Sequence, residues 1–113
     1  MRYVVCLLST LAATPLMAGS PTMPRYDSDG YCRQVERRTG FPANSIMPSC
    51  IASEQESLHV LRALWPRVAE QVRGYCDQRV RATTTGSYAA LQGCVDMQEE
   101  AAASASRRRG FGL

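Results

Sequence analysis

Gly30-Tyr31-Cys32-Arg33-Gln34-Val35-Glu36-Arg37-Arg38-Thr39 returns 44 residues later as Gly74-Tyr75-Cys76-Asp77-Gln78-Arg79-Val80-Arg81-Ala82-Thr83, with six of the ten positions identical. The same offset pairs Cys50 with Cys94 and Glu56 with Glu100, and keeps apolar character at Met47/Leu91 and Ile51/Val95. Self-similarity at a fixed period marks a repeated supersecondary unit, so the chain reads as a duplication. Each copy consists of Tyr-Cys, seventeen residues and a second Cys, with turn formers in between. The turns are Thr39-Gly40-Phe41-Pro42-Ala43-Asn44 and Thr83-Thr84-Thr85-Gly86-Ser87.

Helices precede and follow each turn. In the first, from about Asp29 to Arg38, Cys32, Val35 and Thr39 share a face, with Ser28 or Asp29 available as the cap. Asn44 or Ser45 can cap the second, where Pro48 is tolerable because it falls within the first turn. The second helix carries the clearest stripe in the chain: Met47, Cys50, Ile51, Leu58, Leu61 and Trp65 at three- and four-residue steps. Pro66 disfavours helix in the residue before it, which ends this helix near Trp65. Val68, Val72, Cys76 and Val80 recur at steps of four in a third helix. Ser87 caps a fourth, with Tyr88, Leu91, Val95, Ala102 and Ala105 expected to face inward. No strand-like alternation interrupts these patterns. The expected fold is all-α: two tandem disulfide-closed helical hairpins forming a small four-helix domain over residues 29–106, with copies at about 30–58 and 74–102.

Four cysteines allow three connectivities, and the hairpin geometry selects one. Cys32 and Cys50 each lie about six residues from their turn, so at ~1.5 Å rise per residue both sit ~9 Å from the bend. Cys76 and Cys94 are placed the same way about theirs. The expected disulfides are therefore Cys32–Cys50 and Cys76–Cys94, each closing its own hairpin without distortion.

The chain of 113 residues opens with Met1-Arg2-Tyr3, an apolar run from Val4 to Met17, and a small residue at Ala18. This is the pattern of a secretory signal spanning residues 1–18, too short to serve as a bilayer span. It contains Cys6, so cleavage leaves an even set of cysteines, as suits disulfides in an exported, periplasmic or secreted protein. The Pro-, Ser- and Gly-rich stretch 19–28 reads as a flexible arm and residues 107–113 as a basic flexible tail.

Every basic side chain other than His59 is arginine. Without Arg2, twelve arginines face ten acids, and without Arg107, Arg108 and Arg109 the remainder carries nine against ten. The folded body is close to neutral, which argues against nucleic acid as a partner, since such folds carry a basic stripe along one face. No later segment has the apolar length of a transmembrane helix. The arginine triplet either opposes the dipole of the last helix or attaches weakly to anionic surfaces.

Catalytic residues are expected to be absent. His59, the single histidine, has Glu56 three residues before it and Arg62 three after, which any solvated helix face offers. No nucleophile motif accompanies it. Cys32, Cys50, Cys76 and Cys94 lack the close spacing that metal ligation or thiol exchange uses, so no metal and no cofactor are expected. Tyr31, Tyr75, Tyr88 and Trp65 lie beside cysteines or on apolar stripes, where core packing is their expected role.

Tyr31-Cys32 with Cys50, then Tyr75-Cys76, Gly86-Ser87-Tyr88, Leu91, Cys94 and Glu99-Glu100, resembles a group of short exported bacterial proteins without assigned activity. The order Leu61, Trp65, Arg73, Cys76 and Cys94 is also similar to the LprI-type lysozyme-inhibitor-related proteins, which are small, exported, helical and cysteine-paired. The expected function is that of a non-enzymatic exported interaction or structural module. The resemblance adds inhibition of a cell-wall hydrolase as a specific version, and a small enzyme acting through His59 is the competing class.

Overall fold

The computed structural model describes residues 21–41 and 43–110. The expected signal segment, Cys6 within it and the last three residues of the expected tail lie outside them. Four helices follow in order: α1 (Ser28–Thr39), α2 (Ala43–Leu64), α3 (Glu70–Thr83) and α4 (Tyr88–Gly110), with a single 3-10 turn (Trp65–Arg67) between α2 and α3. The domain is all-α, and two disulfides, Cys32–Cys50 and Cys76–Cys94, close the α1–α2 and α3–α4 hairpins.

Sequence chemistry accounts for the helix ends. Asp27, rather than Ser28 or Asp29, caps α1: its carboxylate accepts a 3.0 Å hydrogen bond from the Gly30 N–H. Gly40 stops the helix in the left-handed conformation, φ 70°, and its N–H bonds the Glu36 carbonyl. Helix α2 already begins at Ala43, ahead of both expected caps, which places Pro48 sixth in the helix. It ends at Leu64 because the backbone tightens into the 3-10 turn at Trp65-Pro66, then turns extended at Val68 (ψ 134°). Arg73 reaches back from α3, and its Nη1 donates to the carbonyls of Val68 and Trp65, so groups freed at the break find a partner.

The core lies where α2, α3 and α4 meet. Leu61, Trp65, Val68, Cys76, Val80, Tyr88, Leu91 and Val95 form one buried cluster. Helix α1 stands outside it. Cys32 is the one buried residue of α1, Val35 is half-buried, and Thr39 is exposed rather than inward. Ala102 and Ala105 are likewise exposed, because the buried positions of α4 are Tyr88, Leu91 and Val95 and the rest of the helix projects past its neighbours. Residues 107–110, expected as part of a flexible tail, continue α4 as helix. The alanine-rich run before them has high helix propensity, and the arginines at its end oppose the helix dipole.

Glu54 is a fully buried acid on α2. It occupies the gap in the apolar stripe between Ile51 and Leu58, and its Oε2 accepts the Ala89 N–H at 2.8 Å. Ser87, also buried, accepts the Ala90 N–H through Oγ at 3.2 Å. The start of α4 is pressed into the protein, where its unbonded amides need partners; the Glu54 side chain of α2 and the helix's own cap divide that task.

Residues 22–27, expected within the flexible arm, instead form a strap across the core. The Trp65 Nε1–H donates to the Thr22 carbonyl at 3.2 Å, and the Tyr88 hydroxyl donates to the Pro24 carbonyl at 2.9 Å. That hydroxyl also accepts the Tyr26 N–H at 3.0 Å. A polar, proline-containing segment is held here because buried Trp and Tyr side chains need hydrogen-bond partners, and its backbone supplies them. Gly86 fits beneath it: at φ 114°, a Cβ there would stand 2.8 Å from Cδ1 of Tyr26. Glycine is therefore required both by the backbone and by the ring above it.

Candidate functional site

The four cysteines among the described residues are all consumed in disulfides within their own hairpins, so these residues offer no free thiol pair for exchange. His59 sits exposed on α2, with Glu56 and Arg62 also exposed on that helix. No group of three His, Cys, Asp or Glu side chains arranged to hold a metal occurs among the described residues. Leu61, Trp65 and Cys76 converge in the core and Arg73 holds the backbone beside them, so these residues act in packing.

The aromatic residues separate into two kinds. Trp65 and Tyr88 are buried, whereas Tyr75 is 46% exposed, which departs from its expected core role. It lies on the outer side of α3, across a cleft from Met97 of α4, itself 73% exposed. The cleft holds about 380 Å³. Its floor is Val80, Ala90 and Cys94, and Arg79, Thr83 and Gln98 contribute polar groups along its rim. The Thr83 hydroxyl is turned inward onto the Arg79 carbonyl at 2.8 Å, and the Arg79 guanidinium makes no ion pair among the described residues. An apolar slot flanked by an unneutralised cation suits a ligand that combines an apolar group with a carboxylate.

Arg79, Met97 and Gln98 escape the sequence patterns that mark the core. The repeat offers one signal: Met97 stands 44 residues after the polar, exposed Ser53, so the second copy exposes a large apolar side chain where the first does not.

On the opposite side of α3 the strap builds a small electrostatic cluster. The Tyr26 hydroxyl donates to Asp77 Oδ1 at 2.7 Å, which also accepts from Arg81 Nε at 2.9 Å, and the Arg81 guanidinium lies 5.1 Å from the Tyr26 ring centroid. Burial, then the bond to Asp77 and its negative charge, hold the Tyr26 hydroxyl well above its ordinary pKa. A raised value in the folded state means that the folded protein retains a proton the unfolded chain releases. The associated stability is complete below the unfolded value of ~10 and is lost as pH rises beyond it. Urea midpoints are therefore expected to fall between pH 9 and pH 11, and Tyr26→Phe is expected to flatten that decline. An equally steep decline in the variant would show that another group governs it.

The fold and cleft define a disulfide-closed, two-hairpin helical domain with a partly apolar surface slot between α3 and α4. No protein-family model matches the chain, and no curated protein or solved structure shows significant similarity to it. No helix among the described residues is long and apolar enough to cross a membrane.

Proposed function

We propose that the protein is a non-enzymatic interaction module of the periplasm or the extracellular space, built by duplication of one hairpin, and that it binds a protein partner through the α3–α4 cleft. The observation carrying this reading is the pair Tyr75 and Met97, two large apolar side chains held exposed on either side of a preformed slot. Aromatic and methionine side chains are enriched at the centres of protein interfaces. Disulfide closure of both helices that form the slot supports the reading further, because a prearranged surface loses less entropy on binding. Two disulfides and an amino-terminal signal-like segment are compatible with an oxidising compartment.

A lysozyme-type cell-wall hydrolase is the specific partner implied by the LprI-type resemblance. The test is titration of wild type, Tyr75→Ala/Met97→Ala and His59→Ala against such an enzyme, read as inhibition and as binding heat, beside affinity capture from the exported fraction. Wild type and His59→Ala are expected to bind alike. The double truncation is expected to lose about 2 kcal/mol or more, roughly 30-fold in affinity, with its melting temperature retained. Turnover of any substrate that His59→Ala abolishes would overturn the proposal, as would full partner binding by the double truncation.

A further inference from the structure

We propose that Met97 is an oxidative modification site that governs the α3–α4 cleft: a hydroperoxide converts its thioether to the sulfoxide, and the cleft then releases an apolar ligand. The inference rests on the reading of that cleft as a binding surface and adds what regulates it. Sulfur-bearing side chains are the ones that oxidants modify first, and exposure selects among them. The four described cysteines are held in disulfides, which leaves the thioethers of Met23, Met47 and Met97. Met23 is half-buried and packs against the core cluster, and Met47 is half-buried. Met97 alone of the three is exposed, and it stands outside that cluster.

Its place in the fold confines the effect of oxidation to the cleft. Met97 forms the α4 wall of the slot, across from Tyr75 on α3. Cys94, on the floor, lies three residues before it, and Tyr75 directly precedes Cys76, so the Cys76–Cys94 disulfide ties both walls together. A change at the Met97 sulfur therefore alters the chemistry of the wall without displacing the helices behind it. Ser53 holds the corresponding position of the first hairpin, which carries no sulfur there.

In the reaction the thioether sulfur attacks the outer oxygen of the hydroperoxide, and a sulfur–oxygen bond forms as the oxygen–oxygen bond breaks. The proton on that oxygen passes to the departing one, giving the sulfoxide and water or an alcohol. Sulfur loses two electrons, which the peroxide gains. An apolar, flexible side chain thereby becomes a polar one. Covering it with an apolar ligand group then carries a desolvation cost that the thioether does not.

The test is peroxide titration of the full, disulfide-bonded chain, followed by peptide mass mapping and by fluorescence titration with anilinonaphthalene sulfonate, an apolar probe whose anionic group suits Arg79. Met97 is expected to be converted before Met23 and Met47. Its conversion is expected to raise the probe's dissociation constant about tenfold, with the melting curve unchanged. In Met97→Leu the affinity, whatever its value, is expected to be the same before and after an equal peroxide dose. Earlier conversion of Met23 or Met47 would overturn the inference. So would full conversion of Met97 with probe affinity unchanged, or a peroxide-induced loss in Met97→Leu equal to that of wild type. Tyr75→Ala/Met97→Ala separates this inference from the reading beneath it. Probe binding that the double truncation abolishes but the sulfoxide does not would overturn the inference alone, whereas binding indifferent to the truncation would overturn the cleft reading with it.

Discussion

Replacing Trp65 with alanine is expected to lower the unfolding free energy by about 3–5 kcal/mol, as measured by urea denaturation of the oxidised protein. The indole is buried at the break between α2 and α3, in the cluster that α2, α3 and α4 share. Truncation removes apolar contact and leaves a cavity at the point where the two hairpins join. It also removes the Nε1–H that holds the Thr22 carbonyl, so one end of the strap is released. For a domain of ~5–15 kcal/mol total stability this change approaches the threshold of folding. Trp65→Phe separates the two effects: it keeps most of the packing and loses the hydrogen bond, and about 1 kcal/mol of loss is expected from that bond alone. A loss below 1 kcal/mol for the alanine variant would show that the junction repacks around the gap.

Removing the two disulfides should have unequal consequences. Each closes a loop of 18 residues' separation, and loop-closure entropy assigns about 3 kcal/mol to either. Cys76 belongs to the core cluster, so Cys76→Ser/Cys94→Ser is expected to lose at least that much globally. Cys32 is the one buried residue of a 12-residue helix that stands outside the cluster. In Cys32→Ser/Cys50→Ser, α1 is expected to open locally while the remainder stays folded, because an isolated helix of that length is marginal in water. Amide exchange distinguishes the two: rapid exchange confined to residues 28–39 is the expected pattern for the second variant. Uniform loss of protection across all four helices would mean that α1 supports the core after all.

The helices and the cysteine pairing were legible because each depends on local order along the chain. The stripe from Met47 to Trp65 and the symmetric placement of cysteines about their turns translate directly into one hairpin geometry. The strap was not legible, since nothing in Thr22-Met23-Pro24-Arg25-Tyr26-Asp27 indicates that an indole 43 residues away will seek its carbonyl. Glu54 was readable in retrospect as an acid standing in an apolar stripe, though its partner at the start of α4 required the tertiary register. The same limit applies to the cleft. Tyr75 looked like a core residue because it neighbours a cysteine, and only the packing of α3 on α4 turns it outward beside Met97. The run of arginines suggested an ending, whereas the alanines before it carry the helix through to Gly110.

The connectivity also bears on how the chain acquires its bonds during synthesis. Both disulfides join cysteines consecutive in sequence, and neither encloses any part of the other. As the chain emerges from its amino-terminal end, Cys32 meets Cys50 before Cys76 is available, so among the four described cysteines pairing in order of appearance makes native bonds at each step. Isomerisation of wrong pairings is then unnecessary. The strap, whose contacts span 43 to 64 residues, can dock in full only after Tyr88 has arrived, well after the first hairpin has the residues it needs to close.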